Sequence, residues 1–168
     1  IFMEIPRLKN PIPIFIIFRA LNIISDKEIC KHIVLDIDNK ENKRIMFSLR
    51  ASILDANTCI SYTDAIKYIT NNVIYTPVNI DKEQGNKRKM EFALEVIKND
   101  IFPNAYNDEQ KVFMLGYMIN TLLKTSFGWI KQSDRDDYYN KRIDLTGALL
   151  NNLFRNYFNK LVKDMTKQ

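Results

Sequence analysis

The sequence is poor in the residues that usually break or cross-link a fold. Its 168 residues include four glycines, five prolines, two cysteines and one histidine. With 46% apolar and 27% charged residues, this composition excludes a collagen-like or low-complexity chain and favours a folded domain. One histidine excludes a site built from several histidines. The longest apolar run, Ile12–Phe18, is far shorter than the ~20 residues of a membrane-spanning helix.

The length predicts about one domain with a hydrophobic core of its own. Cys30 and Cys59 lie in apolar helical patterns without metal-ligand spacing, so we expect buried free thiols in a reducing compartment. His32 is expected on a helix surface or hydrogen-bonded locally. The net charge of +5 is compatible with a nucleic-acid partner but does not require one.

Apolar residues at helical spacing predict an α+β, helix-rich fold. The expected helices cover residues 13–22, 26–35, 43–57, 87–101, 112–127 and 145–165, and another helix is expected after Thr63 with Ile66 and Ile69 facing inward. Ser25 and Glu28 form a capping-box pattern, Thr63 is predicted to cap the fourth helix, and Asn107 with Gln110 resembles another cap. Residues 1–6 and 73–78 are β-prone, and residues 81–85 look like a turn.

The helix predicted over residues 112–127 is apolar nearly all round, so we expect it to be the central core helix. It contains Gly116, which costs ~1 kcal/mol of helix propensity relative to alanine. We therefore expect a neighbouring backbone or bulky side chain to need that space.

Several kinds of catalytic motif are missing. The sequence contains no phosphate loop, no nucleophile elbow and no Cys/His pair at usable spacing. Residues 36–42 resemble a calcium loop but lack its glycine and distal glutamate, so a solvated loop is expected. Three aspartates, at 134, 136 and 137, could hold Mg²⁺ in a metal-dependent hydrolase, although neighbouring cations are placed to neutralise them: Arg135, Lys141 and Arg142.

A basic cluster, Lys87, Arg88 and Lys89, is predicted to open the helix over residues 87–101. Cations near a helix start oppose the macrodipole, so they do not serve local helix stability. The cluster is therefore a candidate face for docking an acidic partner, and the alternative is a solvated helix surface.

Three segments, at residues 13–29, 113–120 and 134–147, carry motifs in a characteristic order and spacing. Together they resemble the lobe of the second-largest, beta-like subunit of multisubunit DNA-directed RNA polymerases. Residues 13–29, PIFIIFRALNIISDKEI, resemble the family pattern P-I-x-I-x-[FL]-[RK]-A-L-G-I-x-S-D-x-E-I. Residues 113–120, FMLGYMIN, resemble F-x-L-G-Y-M-[IV]-[NH]. Residues 134–147, DRDDYYNKRIDLTG, resemble D-R-D-H-[FY]-x-x-K-R-L-D-L-x-G. The resemblance covers nearly the whole chain.

Three positions depart from these patterns. Asn22 replaces a glycine, Asp137 stands where histidine is common, and Tyr139 stands where a small residue is common. Contacts carried over to Asp137 or Tyr139 are therefore in doubt, and the departures suggest a divergent branch. Isoleucine, asparagine and lysine are abundant and have AT-rich codons, so a large DNA virus is one expected source.

The resemblance implies a division into residues 1–12, the end of a preceding protrusion segment; 13–142, the lobe; and 143–168, a helix returning to the protrusion. It also implies a fragment of a nucleotidyltransferase without catalytic residues or a metal site of its own. The Mg²⁺ of the assembled enzyme would be bound elsewhere.

Expected partners are the largest subunit and other polymerase subunits, DNA, a zinc-ribbon small subunit and initiation factors, and no membrane. The lobe would line the downstream DNA cleft. The expected location is the nucleus, or the host cytoplasm and virion for a viral protein.

Within the third segment we expect a junction of two parts. Asp134, Arg135 and Asp136 are predicted to form ion pairs and caps that fix the chain as it leaves the lobe. Lys141 and Arg142 are predicted to contact nucleic-acid phosphates, with pairing to nearby aspartates as the alternative. A stand-alone helical adaptor that docks proteins is the alternative function for the chain.

Overall fold

The computed structural model describes residues 1–75 and 82–167 and divides into two compact units, residues 1–130 and 131–168. The first unit contains a two-stranded antiparallel sheet in which Phe2 pairs with Pro13 and Met3 with Ile12. Its elements in order are β1 (Phe2–Met3), β2 (Ile12–Pro13), α1 (Ile14–Ala20), α2 (Asp26–Val34), α3 (Lys43–Asp55), α4 (Tyr62–Asn72), α5 (Lys82–Asn99) and α6 (Asp108–Ser126). The second unit contains α7 (Thr146–Met165). The predicted helix-rich fold is confirmed.

Helix α1 forms the centre of the first unit, because every one of its residues is buried. It packs against α2, α3 and α4. The prediction that α6 would be the central helix is wrong. One side of α6 is buried, but Phe113 is 61% exposed and Tyr117 is 64% exposed. Apolar character on every side of a helix shows what it can bury, not which sides its neighbours in this chain cover.

Helices α2 and α6 cross at Gly116. A Cβ atom at this position would lie 2.3 Å from the backbone oxygen of His32, a distance that real Cβ atoms do not reach. One turn later, the Asn120 side-chain amide donates to the carbonyl of Ile33 at 2.7 Å. The expectation that a neighbouring backbone needs the space beside Gly116 is confirmed, and the neighbour is the last part of α2.

A buried guanidinium joins α1 to the chain around it. Arg19 is 3% exposed, and its Nη1 donates to the carbonyls of Ala56 and Cys59. Its Nη2 forms an ion pair with Asp26 at 2.6 Å, at the first residue of α2. A charge this deep is tolerated only when it is paired and hydrogen-bonded, so these contacts hold the α1–α2 turn and the end of α3 together.

The α1–α2 turn also explains one departure from the family pattern. Asn22 has a φ of +69°, in the left-handed region where glycine is usual and asparagine is the best-tolerated substitute. The positive φ therefore accounts for an asparagine at a position where the family pattern has glycine.

Several predicted helix starts differ from the structure. Ser25 precedes α2 but makes no side-chain capping bond. The cap of α4 is Ser61, which accepts from the Asp64 N–H at 3.1 Å, so the prediction of Thr63 is wrong. Asn107 precedes α6 without a capping bond of its own, while Gln110 accepts from the Tyr106 N–H at 2.9 Å.

Helix α5 starts at Lys82, five residues before the predicted start, so the turn predicted at 81–85 is wrong from residue 82 onward. Gly85 is buried within the helix. Of the β-prone segment at 73–78, Val73 forms an isolated antiparallel bridge with Leu8, and residues 76–78 lie outside the described residues.

Polar contacts also fix the far end of the first unit. Arg7 forms a bidentate ion pair with the carboxylate of Asp100, which lies just after α5. The Arg7 guanidinium also lies 5.2 Å from the centre of the Phe92 ring. The amine of Lys111, 2% exposed, donates to the carbonyls of Ile97 and Lys98 at the end of α5. Burial lowers the pKa of Lys111 below its ordinary value.

Both cysteines are buried free thiols, as predicted. Burial, with a smaller contribution from the charge of Asp26, raises the pKa of Cys30. A raised pKa keeps the thiol protonated and therefore unreactive at neutral pH. His32 is half-buried on α2, and its backbone carbonyl faces Gly116.

The second unit is dominated by α7, which confirms the predicted amphipathic helix. None of its described residues is buried. Its large apolar side chains recur in pairs along the helix: Leu149 and Leu150, Leu153 and Phe154, Tyr157 and Phe158, Leu161 and Val162, then Met165. Among the described residues, no helix is both long and apolar enough to cross a membrane.

We expect Gly116→Ala to lower the free energy of unfolding by about 2 kcal/mol, because the added methyl group forces α2 and α6 apart. The midpoint of urea unfolding, followed by circular dichroism, measures this change. Gly147→Ala on α7 is the matched control, since outside the adjoining residues and backbone of its own helix no atom of the described chain lies within 4 Å of its Cβ position. An unchanged or raised midpoint for Gly116→Ala would contradict the close crossing.

We expect Asp26→Asn to lower the free energy of unfolding by about 1–3 kcal/mol, because it leaves the buried Arg19 without its carboxylate. Asp26 is itself 43% exposed, which keeps the loss below that of a fully buried pair. Asp100→Asn removes the partner of the more exposed Arg7 and should cost less in the same thermal or urea melt. A larger loss for Asp100→Asn than for Asp26→Asn would contradict this ranking.

Candidate nucleic-acid interface

The segment between α6 and α7 is shaped by hydrogen bonds from its own aspartates and asparagine. The Asp134 carboxylate accepts from the Asp136 N–H at 2.9 Å. The Asn140 side chain donates back to the Asp134 carbonyl at 2.6 Å. These short-range bonds form a local turn, the usual role of such side chains in exposed loops.

A single 3-10 turn, Tyr138–Asn140, follows. Asp137 caps it by accepting from the Tyr139 N–H at 3.3 Å. Asp137 is the residue that stands where the family pattern has histidine, and here its carboxylate serves the backbone. The side chains of Tyr138 and Tyr139 are 87% and 93% exposed.

Lys141 and Arg142 follow this turn, and both are exposed. The Lys141 amine lies 3.9 Å from the Asp136 carboxylate and 5.8 Å from the centre of the Tyr138 ring. A pair this long, between exposed groups, contributes little to stability. Arg142 makes no ion pair in the part of the chain that the structure describes. Both cations are thus accessible to an external phosphate.

The predicted junction residues are all exposed and differ in their contacts. Asp134 and Asp136 take part in the turn and in the pair with Lys141, whereas Arg135 forms no ion pair within the described residues. The N-cap of α7 is Leu145, which provides no capping side chain. Whether Asp134, Arg135 and Asp136 fix the chain's departure from the lobe stays a prediction.

The aspartates do not gather into a metal site. Among the residues that the structure describes, no three acidic, histidine or cysteine side chains are arranged to hold an ion. Asp134 and Asp137 each direct a carboxylate oxygen to a backbone N–H instead. A metal-dependent hydrolase therefore gains no support from this geometry.

The basic cluster Lys87, Arg88 and Lys89 lies in the second turn of α5, because the helix starts at Lys82. Consecutive helical residues point about 100° apart, so the three side chains diverge. Lys87 and Arg88 are exposed and Lys89 is half-buried. The cluster does not form one face, and its role in docking a partner stays a prediction.

Three polar residues of the first unit have roles that reasoning from the sequence missed, namely Arg19, Asp26 and Asn120, whereas the need for space at Gly116 was predicted. Arg19 and Asp26 belong to the first family-like segment, and Gly116 and Asn120 belong to the second. Arg19 and Asp26 form an ion pair, and Gly116 and Asn120 form the close helix crossing, so all four positions have a structural role. An arginine inside an apolar run, followed seven residues later by an aspartate, was the available signal.

The sequence matches a family described as RNA polymerase Rpb2, domain 2, over residues 1–144. It is 33% identical to the Arabidopsis thaliana DNA-directed RNA polymerase II subunit 2, over 96% of this chain and 13% of the relative. It is 28% identical to DNA-directed RNA polymerase subunit Rpo2 of Saccharolobus solfataricus, over 99% of this chain and 14% of the relative.

A viral relative matches as well. The chain is 28% identical to DNA-directed RNA polymerase subunit 2 of Acanthamoeba polyphaga mimivirus, over 99% of this chain and 15% of the relative. The chain thus spans only a small part, 13 to 15%, of the relatives it matches. Because the family match covers residues 1–144 and the relatives align through nearly all of the rest, the chain belongs to the RNA polymerase Rpb2, domain 2 family.

Proposed function

We propose that the chain acts as the lobe, with the helix that follows it, in the second-largest subunit of a DNA-directed RNA polymerase. The observation that carries this proposal is the family match over residues 1–144, together with relatives named as polymerase subunits that align over 96–99% of the chain. The chain would contribute to DNA-templated RNA synthesis as part of a nucleotidyltransferase. Its own residues would take no part in the chemical step.

In this proposal, Mg²⁺ is bound elsewhere in the enzyme and supplies the nucleotidyl-transfer chemistry there. The chain's role is to form part of the wall of the downstream DNA cleft. Its partners are the largest subunit and the other polymerase subunits, with a zinc-ribbon subunit and initiation factors docking on the lobe. The location follows the source: the nucleus for a cellular enzyme, or the host cytoplasm and virion for a viral one.

Lys141 and Arg142 are the proposed DNA contacts. They are exposed and follow a turn shaped by local hydrogen bonds. In the part of the chain described, their side chains make no hydrogen bond, and their one ion pair is the 3.9 Å contact of Lys141 with Asp136. Exposed cations on a defined turn suit contacts to phosphates, which position a duplex without reading its sequence.

The exposed apolar side chains of α7 suggest which domain this helix packs against in the assembled enzyme. The family match ends at residue 144, just before α7 starts at Thr146, while the relatives align beyond it. We infer that α7 belongs with the protrusion, the neighbouring domain of the same subunit, which covers these exposed apolar side chains in the assembled enzyme. A stand-alone adaptor would leave them exposed to solvent, which is costly for so large an apolar surface.

The size and activity of the native protein test the proposed function. We expect an antibody raised against this chain to detect a polypeptide several times heavier than 19.8 kDa in its source. The precipitated material should synthesise RNA on a DNA template. A native band at 19.8 kDa without that activity would favour the adaptor instead.

Salt-dependent DNA binding tests Lys141 and Arg142. Since log K falls with log[salt] in proportion to the phosphates contacted, the double variant Lys141→Gln/Arg142→Gln should reduce the slope by about 1.8. Fluorescence anisotropy with a labelled duplex between 50 and 200 mM salt, about a fourfold range, measures it. Lys27→Gln/Lys31→Gln removes the same charge from the exposed side of α2 and should leave the slope unchanged. Equal slopes for both variants would reject the contact.

A further inference from the structure

The polar side of α7 carries an ordered stripe of asparagines and lysines. At 100° per residue, four side chains of α7 from residue 152 onward fall within an arc of about 80°, and a fifth follows two residues after the helix ends at Met165. They are Asn152, Asn156, Lys160, Lys163 and Lys167. At a rise of 1.5 Å per residue the stripe is about 22 Å long, and its three lysines occupy the last half. All five residues are exposed.

The cations of this stripe are not neutralised by the structure. Lys160 has Asp164 four residues later, yet no ion pair within 4.0 Å involves any α7 lysine in the described part of the chain. From Thr146 to Lys167 the sequence has four cations and one anion, a net charge of +3. By contrast, residues 131–145 carry four cations and four aspartates, a net charge of zero. The positive charge of the second unit is therefore concentrated on α7.

Helix stability does not account for the stripe. Cations in the last turn favour the macrodipole, which applies to Lys163. Lys160 lies before that turn, and lysines three and four residues apart repel each other on a helix surface. The asparagines are poor helix formers but supply amide donors that reach anionic oxygens.

The amphipathic pattern alone would also suit a helix lying on an anionic membrane. We favour nucleic acid over a membrane because the chain belongs to a polymerase family. A duplex presents a phosphate charge about every 1.7 Å along its axis. The lysines, about 10 Å from first to last along the helix, then face several phosphates at once.

We propose that the α7 stripe of Asn152, Asn156, Lys160, Lys163 and Lys167 is a second phosphate-binding surface, which holds the backbone of a nucleic acid while the opposite, apolar side of α7 is covered by protein. This inference rests on the proposed polymerase function, but its residues are separate from Lys141 and Arg142. It requires no sequence preference, since phosphate contacts carry no base information.

Salt titration of the 168-residue chain tests the stripe. The probe is a labelled DNA duplex, measured by fluorescence anisotropy from 50 to 200 mM salt. In Lys160→Gln/Lys163→Gln/Lys167→Gln the magnitude of the slope of log K against log[salt] should decrease by about 2.7. Raising the salt from 50 to 200 mM should therefore weaken binding about 40-fold less in this variant than in the wild type. Lys27→Gln/Lys31→Gln/Lys67→Gln removes the same charge from exposed sites on α2 and α4 and should retain the wild-type slope.

Two further measurements separate this role from a structural one. Far-UV circular dichroism should be unchanged in the triple glutamine variant, and Lys160→Arg/Lys163→Arg/Lys167→Arg should restore the slope. A wild-type slope in the triple glutamine variant overturns the inference. The contact proposed for Lys141 and Arg142 is judged separately, and it stands when Lys141→Gln/Arg142→Gln lowers the slope. Absence of duplex binding by the wild type at 50 mM salt overturns both contacts. Loss of binding to phosphatidylserine vesicles with no change on DNA would assign the stripe to a membrane instead.

Discussion

The close crossing of α2 and α6 is the constraint on which the first unit depends. The backbone of α2 at His32 approaches the position where Gly116 has no side chain, so the two helices pack at a distance that any larger residue would prevent. The Asn120 amide then uses that proximity to donate to the Ile33 carbonyl. One small residue and one amide, four positions apart on α6, therefore set the distance and the axial register of the crossing. The wholly buried α1 packs against α2 and so takes its position from the same arrangement.

Parts of the segments by which the family is recognised encode this packing. In the first segment, Arg19 and Asp26 form the ion pair, and Asn22 adopts the backbone conformation that glycine usually provides. In the second, Gly116 and Asn120 make the helix crossing. The third segment differs, because all of its residues are exposed, including Lys141 and Arg142. Some residues that make a sequence signature specific for a family can thus act inside the fold.

Reasoning from the sequence succeeded where the signal was local and periodic. The spans of α2 and α7, the buried cysteines and the steric need at Gly116 follow from apolar spacing and residue size. It failed where two local solutions compete, as at Ser25, which has a capping sequence without a capping bond, and at Ser61, which caps in place of Thr63. The start of α5 was missed because Gly85 suggested a turn, whereas the structure buries it within the helix. The exposed side of α6 depends on which neighbours this chain provides, and periodicity holds no information on that.

Part of the candidate interface could likewise be predicted from the sequence, and part could not. The exposed cations after the turn could be chosen from the sequence, but the diverging directions of Lys87, Arg88 and Lys89 required the true start of α5. The local hydrogen bonds of Asp134 and Asp137 could not be separated from metal binding by composition alone, because a carboxylate serves either purpose.

The spacing of the apolar side chains on α7 has a geometric consequence for whatever covers them. They recur every four residues, from Leu149 through Leu153, Tyr157 and Leu161 to Met165. Each step of four advances about 40° beyond a full turn, so the stripe winds around the helix by about 160° from one end to the other. The second member of each pair widens this stripe, so that Leu150, Tyr157 and Leu161 lie within about 40° of one another. The surface that covers α7 must therefore follow a broad apolar side that turns around the helix, or consist of two elements that contact the helix from different sides.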